Sequence, residues 1–109
     1  MAMIEDAAAT GFSALGNPSR LRIFRLLVRA GRDGAPIGTI RDHLGIPLST
    51  LAHHLTMLVR ADLVTQTKSG REVICRANFD QMESLIAYLG QNCCAGVAET
   101  EREKEDAHP

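Results

Sequence analysis

PIGTIRDHL at 36–44, then Gly45, then LSTLAHHLTMLVRADL at 48–63 is the stretch that decides the fold. The first segment reads as a short helix, and a glycine stops such a helix in the left-handed conformation that it tolerates best. Three residues later a second helix begins at Leu48 or Ser49, with Leu51, Leu55, Leu58 and Leu63 recurring on one side. Two short helices across a tight glycine turn make a helix-turn-helix.

On the C-terminal side, VTQTKSGREVICRA at 64–77 holds two β-prone runs, Val64 to Thr67 and Glu72 to Arg76, around a Lys68-Ser69-Gly70 turn. This pattern predicts a two-stranded hairpin wing. A last helix is expected from Asp80 to Gln91, with Met82, Leu85, Ile86 and Leu89 on one face and Asp80 favourably placed at its N-terminus. Beyond Cys94 the run AGVAETEREKEDAHP has few bulky apolar groups, so 1–94 is read as the folded domain and 95–109 as a polar, disordered tail.

On the N-terminal side, residues 2–15 suit a helix with Ile4, Ala8, Phe12 and Leu15 in a stripe. Gly16 and Asn17 end it. Pro18 fits the first turn of the next helix, where its missing N–H is no loss, and Asn17 can cap that turn. That helix runs to Ala30, with Leu21, Phe24, Leu27 and Val28 on one face and Arg20, Arg22, Arg25 and Arg29 elsewhere. Gly31 and Gly34 bracket a turn.

A chain of 109 residues fits one domain, and a domain this small buries a modest share of its surface, so a partner subunit is an expected second source of stability. Hydrophobic residues are 45% and charged residues 23%, which excludes the disordered and fibrous classes. No apolar run approaches the roughly 20 residues needed to span a bilayer, and the first dozen residues are acidic where a signal peptide is basic. A cytoplasmic protein with no membrane partner is expected. The net charge of -1 conceals a segregation: residues 17–78 hold ten Lys or Arg against four Asp or Glu, while residues 79–109 hold two against seven. A basic centre of this kind attracts phosphate backbones.

Ser49, Thr50, His53, His54 and Thr56 lie opposite the leucines of the second helix, as short polar and imidazole groups that can hydrogen-bond base edges and phosphates in a major groove. Arg60, Lys68, Arg71 and Arg76 suit phosphate contacts, because a long cation positions a protein on DNA without reading sequence. His53 and His54 are adjacent, about 100° apart on a helix, and cannot easily share one metal ion. One can pack toward the leucines while the other reaches DNA. Three cysteines in a cytosolic chain favour thiol chemistry over a structural disulfide. Cys93 and Cys94 bring two soft ligands together at a helix end, which suits a thiophilic ion. Cys75 sits in an apolar strand run and is separated from the pair by a helix of roughly 18 Å, so only a partner subunit would unite them.

The ordered motifs ALGNPSRLRIFRLL at 14–27, STLAHHLTMLVRADLV at 49–64 and SGREVICRA at 69–77 resemble the arsenic-repressor (ArsR/SmtB) family of winged-helix regulators, over about residues 10–92. The resemblance implies an α+β winged helix-turn-helix of about five helices with a two-stranded hairpin wing, homodimeric through its first and last helices. It further implies a DNA-binding repressor of an inverted-repeat, double-stranded operator. One residue departs from the family: Asp62 stands where a glycine is usual, and Asp is among the residues that adopt positive φ. The cysteine pair of the third-helix sensing type is missing from residues 37–44, and residues 80–91 lack the histidines of the last-helix zinc type. The chain is most similar to arsenical-sensing members, in which Cys93 and Cys94 match the thiol pair and Cys75 an additional wing-strand cysteine. The implied effector is a trivalent arsenical, methylarsenite if two sulfurs suffice and arsenite or antimonite if Cys75 supplies a third. A redox switch joining the pair to Cys75 across a dimer is the competing mechanism. A thiol-dependent arsenical-processing enzyme is the lesser alternative, since no C-x-x-C motif or acid-base set accompanies the cysteines; no catalytic cofactor is expected. A winged helix used only for protein contacts is the third class.

Overall fold

A computed structural model describes residues 3–97. Helix α1 spans Glu5–Leu15 and α2 spans Pro18–Ala30; a 3-10 turn at Gly31–Asp33 then leads into the short strand β1, Ala35–Pro36. Helices α3 (Ile37–Leu44) and α4 (Leu48–Arg60) follow, then strands β2 (Val64–Ser69) and β3 (Glu72–Ala77), and finally α5 (Phe79–Gly90). Residues 95–97 of the expected tail are described; the rest of it, 98–109, lies outside the described residues.

Local chemistry accounts for most boundaries. The Asn17 side chain accepts a hydrogen bond from the Arg20 N–H at 3.1 Å, which satisfies one orphan donor of α2, and Pro18 occupies its first turn. Gly45 closes α3 in the left-handed conformation, with φ of 63°. Asp62 takes φ of 63° at the exit of α4, so the departure from glycine keeps the turn. Asn78 caps α5, accepting from the Gln81 N–H at 3.3 Å while its amide donates to the Asp62 carbonyl at 2.9 Å. One side chain thereby ties the exit of α4 to the entry of α5.

The core gathers Ile23, Phe24 and Leu27 of α2, Ile40 of α3, Leu51, Leu55 and Leu58 of α4, Leu63, Val64, Cys75 and Leu85. The face that α2 buries is rotated from the expected one: Ile23 is buried and Leu21 is exposed. Helix α1 packs against α5 through a small-residue contact, since a Cβ added at Gly11 would lie 2.9 Å from Leu85 Cδ1.

The sheet has three strands, in the order β1-β3-β2, all antiparallel, where the sequence pattern predicted two. The extra strand is a two-residue edge: Ala35 pairs with Cys75 and Pro36 with Ile74. Such a piece has no periodicity to detect, and Pro is tolerated only because it lies on an edge. The approach is close enough that a Cβ at Gly34, whose φ is 72°, would collide with the Cys75 carbonyl oxygen. The hairpin turn also shifts: β2 runs on through Ser69, which pairs with Glu72, leaving Gly70-Arg71 as the two turn residues in place of Lys68-Ser69-Gly70. Gly70 supplies the positive φ, 62°.

Candidate nucleic-acid interface and thiol pair

Burial of Leu51, Leu55 and Leu58 fixes which way α4 faces. With about 100° per residue, the opposite side of the helix carries Ser49, Thr50, His53, Thr56 and Arg60, all exposed. Lys68 near the end of β2 and Arg71 in the hairpin turn are exposed as well, so the wing tip is cationic. Helix and wing therefore present polar and cationic groups outward from one compact core.

His54 stands apart from this set. It is half-buried, and its Nδ1 is shielded from solvent with no hydrogen-bond partner among the described residues. Burial pushes its pKa below the usual histidine value, and the charges of Arg20 and His53 push it the same way. The neutral form is thus favoured, and His53 is the imidazole left open to a ligand. Thr56 donates its hydroxyl to the Ala52 carbonyl at 2.9 Å, a back-bond within the helix. Arg76, expected on phosphate, is engaged inside the fold: its Nε donates to the Arg32 carbonyl at 3.1 Å and its Nη1 to Thr67 Oγ1 at 2.6 Å. It braces the wing against the turn before β1.

A second basic feature gathers arginines that the sequence placed on the basic remainder of α2 and adds a histidine of α3 that it did not connect with them. Arg22, Arg25 and Arg29 of α2 and His43 of α3 line one open cleft of about 290 Å³, floored by Leu21, Leu26 and Leu44. Among the described residues the one ion pair is Arg41 with Asp42, at 3.1 Å.

The cysteines separate into two environments. Cys93 and Cys94 are exposed just beyond α5, in a turn where Asn92 and Cys94 both adopt positive φ, and their Sγ atoms are 3.3 Å apart. Cys75 is fully buried on β3, where its sulfur accepts from Gln66 Nε2 at 3.5 Å. Burial pushes its thiol pKa up, partly offset by that bond, so it stays protonated where an exposed thiol would ionise. No cluster of three or more His, Cys, Asp or Glu side chains suited to a metal ion occurs among the described residues.

Comparison with known proteins agrees with this geometry. Residues 15–67 match the family described as helix-turn-helix domain. An uncharacterized HTH-type transcriptional regulator of Methanocaldococcus jannaschii is 38% identical over 86 residues, which cover 79% of this chain and 94% of that protein. The structure of an ArsR-like transcriptional regulator from Rhodococcus sp. RHA1 superposes with a TM-score of 0.71 at 25% identity, covering 94% of this chain and 90% of that one. A winged helix-turn-helix DNA-binding domain from Mycobacterium bovis, itself homodimeric, superposes with a TM-score of 0.66 at 23% identity, over 94% and 85% of the two chains. The exposed polar face of α4, the cationic wing and these likenesses converge: the chain belongs to the helix-turn-helix transcriptional regulators, and its winged-helix fold is similar to that of ArsR-like regulators.

Proposed function

We propose that this chain is a cytoplasmic repressor that binds an inverted-repeat operator as a homodimer and releases it when a trivalent arsenical binds Cys93 and Cys94. The observation that carries the sensor reading is the pair of exposed sulfurs 3.3 Å apart at the end of α5. Two thiols at that separation can grip one arsenic atom: each S–As bond forms as one As–OH bond breaks, and the thiol proton leaves with the hydroxide as water. Cys75 supports a two-sulfur effector, methylarsenite, over arsenite or antimonite, because a third sulfur from the core would require the sheet to open. The same depth weighs against a disulfide between Cys75 and the pair across a dimer.

On the DNA side, Ser49, Thr50 and His53 are assigned to base edges. Arg60, Lys68 and Arg71 are assigned to phosphates, with Thr56 in a supporting contact and His54, half-buried, left out of the contact set. A homodimer is supported by the apolar surface left on the terminal segments: Ile4, Ile86 and Leu89 are 68%, 65% and 71% exposed. Because α5 carries both this surface and the thiol turn, an arsenical at Cys93 and Cys94 shifts the placement of one subunit against the other. The two recognition helices then lose their match to half-sites spaced by the DNA period. Coupling of this kind is typically about 1–3 kcal/mol, or roughly 5- to 150-fold in operator affinity.

Fluorescence anisotropy with the DNA upstream of the protein's own gene, under reducing conditions, tests the reading. The Cys93→Ser/Cys94→Ser protein should bind as the wild type does and stay bound when methylarsenite is added. Full release of the double variant would remove the sensor assignment and leave operator binding standing.

A further inference from the structure

The exposed side of α4 is not uniformly polar. Leu48, its first residue, is 47% exposed although it is a leucine, and it does no capping work: Pro47 is the N-cap and makes no side-chain bond. Ala52 and Thr56, one and two turns further on, are exposed on the same line of the helix. Thr56 Oγ1 gives its proton to the Ala52 carbonyl, so toward a ligand Thr56 offers no donor, only an acceptor oxygen and its methyl. Positions 48, 52 and 56 thus form a row of apolar groups. The parallel row, Ser49 and His53, is polar.

We propose that Leu48, Ala52 and Thr56 are a thymine-reading row, so that each operator half-site carries thymines whose C5-methyl groups seat against them. The inference rests on the operator-binding reading above and deepens it by naming the base that is read. In the major groove thymine alone presents an apolar group, the methyl, while every other recognition atom is a donor or acceptor. A leucine side chain held in water at the head of a recognition helix meets its match there. Helix residues four apart rise about 6 Å, close to two base steps of about 3.4 Å, so neighbouring positions of the row meet thymines about two steps apart, and Leu48 and Thr56 meet thymines about three to four steps apart. Ser49 and His53, about 100° further round, take the neighbouring nitrogen and oxygen atoms. Leu48 is therefore a specificity residue, and its side chain is unneeded for the core that holds α4 in place.

The test isolates the methyl. Duplexes enriched by the full-length protein from a randomised pool define the half-site, and each thymine is then replaced singly by deoxyuridine, which removes one methyl and nothing else. The wild type should lose about fourfold in affinity at one or two positions per half-site, the factor expected for one buried methyl group. Leu48→Ala and Thr56→Ser should each lose this discrimination at one position while keeping a wild-type circular dichroism spectrum and the remaining sequence preference. Three results overturn the proposal in distinguishable ways. Equal binding of thymine and uracil everywhere, with Ser49→Ala still weakening the site, removes the methyl row and spares operator binding. A uracil penalty that persists unchanged in both variants assigns methyl reading to other residues. A pool that yields no enriched sequence removes the operator reading itself, and this inference with it.

Discussion

Helices α4 and α5 are almost equal in length, 13 and 12 residues, yet they are held in opposite ways. Three leucines of α4 are buried inside the chain, and what remains exposed is polar, cationic or small apart from Leu48 and Val59, which are 47% and 38% exposed. Helix α5 buries one leucine, Leu85, and leaves Ile86 and Leu89 in solvent. The recognition helix is positioned by its own domain; the last helix is only half positioned by it. Apolar groups of that size are rarely left bare without a partner surface.

The sharpest way to break the contrast is to remove the anchor of α4. Leu55→Ala should cost about 2–5 kcal/mol of unfolding free energy, by lost transfer energy and an unfilled cavity, and chemical denaturation would register it as a large fall in midpoint. Overpacking the link between the terminal helices comes next. Gly11→Val drives a branched side chain into Leu85 and should cost about 1–3 kcal/mol; an unchanged thermal midpoint would mean that α5 swings aside freely. Asn78→Ala removes both the cap of α5 and the bond to Asp62, and should cost about 0.5–2 kcal/mol.

A smaller effect belongs to His54. Its folded-state pKa lies below that of the unfolded chain, so below pH about 6.5 the unfolded state takes up the proton first and stability falls with pH. Above that value the group contributes no pH dependence. Denaturation midpoints measured between pH 7.5 and 5 should slope less in His54→Gln than in the wild type; identical slopes would remove His54 as the cause. The smallest intrachain effect should come from α5. Serine at both 86 and 89 should change the unfolding free energy of dilute protein by about 0.5 kcal/mol or less, while sedimentation shows the loss of association. A large intrachain penalty would show that these residues are held by their own chain after all.

Much of this architecture was legible from local patterns. The leucine spacing in α4 specified its buried face, and Asn17 with Pro18 marked the start of α2. Gly45 and Asp62 stood where the backbone needs left-handed residues. These are short-range requirements, met within a turn or two of helix. The rotation of α2 toward Ile23 was not legible, because Leu21 satisfies the same periodicity and only the neighbouring helices choose between the two faces. The candidate site divides likewise: the outward set on α4 followed from helix geometry, whereas the engagement of Arg76 depends on Arg32, 44 residues earlier.

The sequence by itself determined the order of the elements, the polar face of α4 and the presence of a vicinal thiol pair, because each is encoded by residues adjacent in the chain or one helical turn apart. Only the tertiary structure decided that Cys75 is sealed in the core while Cys93 and Cys94 stand open, that Ala35 and Pro36 complete the sheet, and that Ile86 and Leu89 find no cover among the described residues. Burial is the reason: it is set by which distant segments come to lie over a residue, and no local period carries that information.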